Sequence, residues 1–160
     1  MNSLRSRWFV TNLEAALKVL PVTVVTGARQ TGKTTLVKSL GPARAYFTLD
    51  DVGVLDQAER HPDALLHSRP VTLDEVQRTP PLLLAVKRAV DEQRRAGDFL
   101  LTGSANLLLM GRVADTLAGR AIYLELPPFC PAEWQQRKGA LRPLDRLFAP
   151  DFDFREWPKE

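Results

Sequence analysis

The chain has one cysteine, Cys130, among its 160 residues. No disulfide can close within it, and a reducing, cytoplasmic setting is the expectation. Cys130 has no partner base nearby in the sequence, so it reads as a small core or surface residue. The two histidines, His61 and His67, stand isolated in a polar stretch and read as surface residues, not metal ligands. No apolar run approaches the roughly 20 residues that span a bilayer. Asn12, Glu14, Lys18 and Pro21 break up any signal-peptide core near the N-terminus. Charge of one sign is also scarce: 22 basic against 19 acidic residues leave a net +3. That balance suits a phosphate ligand without establishing a nucleic-acid partner. The basic pairs Lys87-Arg88, Arg94-Arg95 and Arg137-Lys138 read as solvated faces, with a nucleic-acid patch as the alternative. Repeats, low-complexity tracts and flexible linkers are lacking too. With 44% hydrophobic and 26% charged residues, the chain is long enough for one domain with a real core and too short for two of ordinary size.

What is present centres on Gly27 to Thr35, which reads GARQTGKTT and fits G-x-x-x-x-G-K-[ST], the phosphate-binding P-loop. Gly27 and Gly32 let the backbone wrap a polyphosphate without Cβ clashes, turning N–H groups of Ala28, Arg29, Gln30 and Thr31 toward the anion. Lys33 supplies a flexible positive charge for the β and γ phosphates. The Thr34 hydroxyl can ligate Mg²⁺, and Thr35 closes the nucleotide-binding stretch at the start of the helix that points its N-terminal end at the phosphates. The context agrees with the motif: Val22 to Thr26 is a β-branched run that reads as a buried strand, and Lys33 to Leu40 reads as a helix ending at Gly41-Pro42.

The remaining elements follow in alternation. Residues 3 to 20 carry apolar positions at helical spacing, Leu4, Trp8, Leu13, Ala16, Leu17 and Leu20. Ala43 to Leu49 reads as a strand. Residues 54 to 67 form a helical segment interrupted at His61-Pro62. Val71 to Asp74 is a short strand closing on Asp74-Glu75. Thr79 is placed as the N-cap and Pro80 as the first residue of a helix running to Arg95. Phe99 to Thr102 and Ala121 to Leu126 are strands, separated by a helix from Ser104 to Ala118. Such alternation predicts an α/β fold, a parallel sheet covered by helices on both faces. Ligands in such sheets sit at the carboxyl ends of the strands, where the P-loop, Asp74-Glu75 and Thr102-Gly103-Ser104 all fall.

Asp74 and Glu75 follow an apolar strand, as a Walker B segment does. There Asp74 would hold the Mg²⁺ shell, and Glu75 would orient and activate a water. Alternation along the strand would point the two acids to opposite sides. Gln77 reads either as a contact to nucleotide or a neighbouring subunit, or as a solvated loop residue. Ser104, with Asn106 close behind, fits a sensor touching the γ-phosphate and equally an N-cap; the two are compatible. Arg120, with Arg112 as second candidate, fits a finger reaching a neighbouring subunit's γ-phosphate; the alternative is an arginine on a helix-ending turn.

Together GARQTGKTT at Gly27–Thr35, LDEVQ at Leu73–Gln77, LTGS at Leu101–Ser104 and LAGR at Leu117–Arg120 resemble a family of prokaryotic AAA+-type ATPases with an Arg-Gln Walker A loop. The resemblance covers about residues 5 to 135. It implies a three-layer P-loop NTPase with a five-stranded parallel sheet of order 5-1-4-3-2, ATP as nucleotide and Mg²⁺ as metal. It also carries over Lys33 and Thr34 as Walker A, Asp74 and Glu75 as Walker B, Ser104 as sensor 1 and Arg120 as the finger. Residues 1–135 would be the ATPase core. Residues 136–160 would be a truncated lid or linker remnant, since members of that family continue into a further domain. Three other functions remain: a nucleotide-dependent binding switch without useful turnover, a small-molecule kinase, and a nucleic-acid-associated protein.

Overall fold

The structure is a computed structural model, and it describes residues 7–104 and 116–134. The chain divides into two compact units, one of residues Arg7–Pro128 and one joining Met1–Ser6 to Phe129–Glu160. In the second, the described part is a short helix, Pro131–Trp134. There the Cys130 N–H donates to the Glu133 carboxylate at 3.2 Å, and Phe129 meets Trp134 edge to face at 6.3 Å.

In the first unit the elements are α1 (Phe9–Leu17), β1 (Val22–Thr26), α2 (Lys33–Lys38), β2 (Ala45–Thr48), α3 (Val52–Arg60), α4 (Pro62–Leu65), β3 (Val71–Asp74), α5 (Pro80–Glu92), β4 (Phe99–Thr102) and β5 (Ala121–Glu125). A 3₁₀ turn, Val76–Arg78, joins β3 to α5. The strands make one sheet in the order β2-β3-β4-β1-β5, parallel at each pairing. This is the expected 5-1-4-3-2 order and the α/β fold of P-loop NTPases. β1, β3 and β4 are buried at every position, whereas β2 and β5 are half-buried edges.

Strand alternation sorts the core into two layers. Val22, Val24, Val71, Leu73, Phe99 and Leu101 pack with α3, α4 and α5 on one face. Val25, Leu100 and Tyr46 pack with α1 and α2 on the other. Thr72 and Asp74, out of phase with Val71 and Leu73, therefore belong to the α1/α2 face. That parity aims Asp74 at the P-loop helix.

The helix ends have local causes. The Asp51 carboxylate caps α3, accepting from the Gly53 and Val54 N–H groups at 2.8 and 3.1 Å. His61-Pro62 interrupts that segment as the sequence predicts, and α4 restarts on Pro62. Pro80 opens α5 as expected, but Thr79 makes no side-chain cap. Its hydroxyl is buried without a partner, because Thr79 is drawn in by the turn behind β3. α5 ends at Glu92, short of the expected Arg95, where Gln93 becomes extended. Gly97 is needed for a different reason: a Cβ there would lie 2.6 Å from the Leu17 carbonyl oxygen. The helix expected from Ser104 to Ala118 falls mostly outside the described residues, as does the 136–160 tail. Among the described residues no helix is long and apolar enough to cross a membrane.

Leu101 lies fully buried on β4, which pairs with both β1 and β3. Leu101→Ala is expected to cost about 3 kcal/mol. In a thermal melt followed by circular dichroism, the midpoint should fall by about 10 °C.

Candidate functional site

β1 delivers the chain into the loop from Gly27 to Gly32 at the carboxyl edge of the sheet. Gly27 has φ +146°, and a Cβ on it would come within 2.5 Å of the Leu126 carbonyl oxygen. Gln30 and Gly32 also take positive φ, 65° and 89°, the alternating geometry that turns successive N–H groups to one side. Thr31 closes the loop on itself through its hydroxyl to the Ala28 carbonyl at 3.0 Å. The buried Lys33 ammonium spans the loop, donating to the Gly27 and Ala28 carbonyls at 2.9 Å each.

From outside, Arg7 braces the loop: its guanidinium donates to the Thr31 carbonyl at 2.9 Å and to the Pro127 carbonyl at 2.6 Å. Nothing in the sequence around Arg7 marks it as a brace. A contact across 120 residues leaves no periodic signal.

The loop forms one wall of a cavity of about 1000 Å³. Ala28, Arg29, Gln30, Gly32, Lys33, Thr34 and Thr35 line it from the P-loop side. Asp50, Glu75, Gln77, Arg78 and Ser104 line it from the ends of β2, β3 and β4. Gly27 and Thr31 are buried behind the wall. Arg78 and Asp50 form an ion pair at 2.7 Å on the rim, each about half exposed.

Asp74 lies beneath this cavity, 2% exposed. One carboxylate oxygen accepts from the Thr34 hydroxyl at 2.8 Å and from the Tyr46 hydroxyl at 2.6 Å. The other accepts from the Thr102 hydroxyl. Burial, then the bond to Asp74, pushes the Tyr46 phenol above its usual range. The Lys38 ammonium lies 4.6 Å over the Tyr46 ring, so α2 touches this tyrosine as well.

Nothing in the neighbouring sequence marks Tyr46 or Thr102 as partners of Asp74, and Ser104 is the residue the sequence offers as a sensor of the γ-phosphate. The pairing of Leu73 with Leu101 puts Thr102 beside Asp74, and Ser104 two residues beyond, at the cavity wall. Asn106 and Arg112, the second candidates for sensor and finger, lie outside the described residues.

Glu75 departs from the expectation of a strand residue facing the opposite side. β3 ends at Asp74, and Glu75 takes the left-handed conformation, φ 63°. Its N–H donates to the Thr102 hydroxyl at 3.2 Å. Continued as a strand, Glu75 would face α3–α5; the left-handed turn instead brings it to the cavity that Lys33 and Thr34 line. Such a conformation at a non-glycine residue costs of order 1–3 kcal/mol and collects at functional sites.

Arg120 is placed apart from all of these. Val22 pairs with Ala121, so Arg120 stands at the amino edge of the sheet, whereas the P-loop leaves the carboxyl edge. A five-residue strand separates the two by about 16 Å. Arg120 is paired bidentately with Asp91 at 2.6 and 3.0 Å, which raises its affinity for the proton and lowers that of Asp91.

A P-loop over a buried Asp, on a 5-1-4-3-2 parallel sheet, defines a P-loop NTPase domain. The chain belongs to the AAA domain family, whose family model matches residues 20–135, and is thereby a nucleotide-binding, ATPase-like domain. Over 118 residues it is 38% identical to the uncharacterized protein Rv2008c of Mycobacterium tuberculosis, covering 71% of this chain and 26% of that one. The uncharacterized protein Mb2031c of Mycobacterium bovis matches with the same figures. The chain thus spans about a quarter of the length of these relatives. Its fold is also that of the Walker-type ATPase PABY2304 of Pyrococcus abyssi, with a TM-score of 0.56, 17% identity, and 81% of this chain and 55% of that one covered.

Thr102→Val keeps the shape of the side chain and removes a donor to Asp74 and an acceptor for the Glu75 N–H. The expected cost is about 3 kcal/mol, since the buried Asp74 carboxylate and the part-buried Glu75 N–H are both left short. Urea unfolding should show the midpoint falling with an unchanged slope, and Thr102→Ser should recover most of it.

Proposed function

We propose that this domain binds Mg-ATP and hydrolyses its β–γ phosphate bond. The observation that carries the reading is the 2.8 Å bond between the Thr34 hydroxyl and the Asp74 carboxylate, formed where the P-loop wall and the acidic end of β3 meet. A hydroxyl and a carboxylate so close fit a Mg²⁺ ion, which is held by one or two protein oxygens together with substrate phosphates. When bound, Mg²⁺ would neutralise charge on the β and γ oxygens.

The residues then divide the work. The loop N–H groups from Ala28 to Gly32 and those of Lys33, Thr34 and Thr35 at the start of α2 cradle the phosphates. Lys33, released from the Gly27 and Ala28 carbonyls, turns its ammonium to the β and γ oxygens. Thr34 and Asp74 hold the metal side. Glu75 accepts a hydrogen bond from the water that attacks the γ phosphorus, and Ser104 lies within the same cavity as a sensor of the γ-phosphate. Catalysis of this kind is mostly positioning and electrostatic stabilisation. Arg120 stands too far from its own P-loop to take part there. A finger role would require a second copy of the chain and exchange of its Asp91 partner for phosphate. The site itself argues for a polyphosphate, and ATP as the nucleotide follows from the family to which the chain belongs.

Hydrolysis measured over a range of protein concentrations tests this. Lys33→Ala should abolish Mg-ATP binding. Glu75→Gln should keep binding and lose turnover by about 10²–10⁴-fold. Specific activity that climbs with concentration, and is lost in Arg120→Ala by about 10³-fold or more, would establish the finger in trans. Wild type that binds Mg-ATP without turning it over would sink the hydrolase reading in favour of a nucleotide-dependent switch. No binding at all would sink both.

A further inference from the structure

We propose that Gln77 is the positioning residue for Glu75, fixing one oxygen of its carboxylate so that the other is presented to the attacking water. This inference rests on the hydrolase reading of the site.

The turn after β3 makes the arrangement rigid. Val76 is fully buried in the core, and the Arg78 N–H closes the turn on the Glu75 carbonyl at 3.1 Å. Val76 inward therefore leaves its neighbours Glu75 and Gln77 together at the wall of the cavity. The Gln77 amide nitrogen donates to Oε2 of Glu75. Chemistry fixes which end of the amide faces the carboxylate: only the NH₂ can donate, and the carbonyl oxygen would be repelled.

The second observation is the other end of the same amide. The Gln77 carbonyl oxygen is buried, and no described residue donates to it. A buried orphan acceptor is rare in a folded protein and asks for an explanation. At the edge of a phosphate-binding cavity, a water or substrate donor supplies one.

A carboxylate has two oxygens, each able to accept. A glutamate in a left-handed turn with no second anchor would sample several rotamers; with Oε2 held by Gln77, its orientation is set and Oε1 remains for the water. In the step so arranged, the water oxygen forms a bond to the γ phosphorus. The bond from that phosphorus to the β–γ bridging oxygen breaks, and its electron pair leaves with ADP. The proton lost by the water is taken up by Glu75 and passed to the phosphate released. Gln77 does not touch the reacting phosphorus in this scheme; it acts through Glu75.

The test compares Gln77→Ala, Glu75→Gln and the double variant in the full chain, reading kcat, KM for Mg-ATP, affinity for a fluorescent ATP analogue, and thermal midpoint. Gln77→Ala should lose about 10–100-fold in kcat, by analogy with losses on removing other outer-shell partners. Its KM, analogue affinity and melting temperature should stay near wild type. The double variant should be no slower than Glu75→Gln alone, because residues that act as a unit are non-additive. Full activity in Gln77→Ala, a faster rate, or losses that multiply in the double variant would overturn the proposal while leaving the hydrolase reading intact. A loss that appears only as raised KM or reduced melting temperature would overturn it as well. Wild type that binds Mg-ATP but never turns it over would overturn both readings together.

A second measurement does not depend on any variant at Gln77 folding. The Gln77 side-chain NH₂ signals in an NMR spectrum of the wild type should be displaced from those of free amides, with and without Mg-ATP analogue, and should return to the free position in Glu75→Ala. Free-amide signals in the wild type would overturn the proposal.

Discussion

Three hydroxyl groups converge on one buried carboxylate, and much of the architecture around the cavity follows from that meeting. Asp74 is 2% exposed, and removing a carboxylate from water is costly unless its oxygens are fully hydrogen-bonded. Thr34 comes from α2, Tyr46 from β2 and Thr102 from β4. The strands supplying Tyr46 and Thr102 must therefore flank β3, as the β2-β3-β4 order has it. A slip of one residue in either strand pairing would turn the hydroxyl to the opposite face of the sheet. The site thus depends on strand register as much as on residue type.

The same centre joins two parts of the cavity that are distant in sequence. Thr102 donates to Asp74 and accepts from the Glu75 N–H, so one hydroxyl ties the buried acid to the turn that redirects its neighbour. Thr34 ties Asp74 to the P-loop helix, and the loop itself is braced from behind by Arg7 on the Thr31 carbonyl. A ligand that moves Thr34 acts directly on the group that Tyr46 and Thr102 hold. The path from phosphate wall to Glu75 runs through Thr34, Asp74 and Thr102, each a hydrogen bond long.

Arg120 shows a different limit on local reading. Its place after Gly119 and before β5 is legible, and the finger reading followed from that place by resemblance. Register with β1 puts it at the opposite edge of the sheet from its own P-loop. The charge it meets within the chain is Asp91 on α5. Motif position does not say at which edge of the sheet an arginine stands. The register puts its own P-loop out of reach and leaves a neighbouring copy's as the site a finger here would serve.

The sequence by itself determined the P-loop, the alternating order of strands and helices, and the polar clusters at three strand ends. These rest on short-range chemistry: glycine conformations, β-branched runs, a proline at the first helical position, spacing within nine consecutive residues. Only the tertiary structure decided that Thr102 meets Asp74. It also decided that Tyr46 joins them, that Glu75 turns back into the cavity instead of continuing the strand, and that Arg7 reaches the loop. Each of those contacts joins residues from separate elements, or depends on a single left-handed residue. Strand register and core packing select such contacts, and neither leaves a mark in the neighbouring sequence.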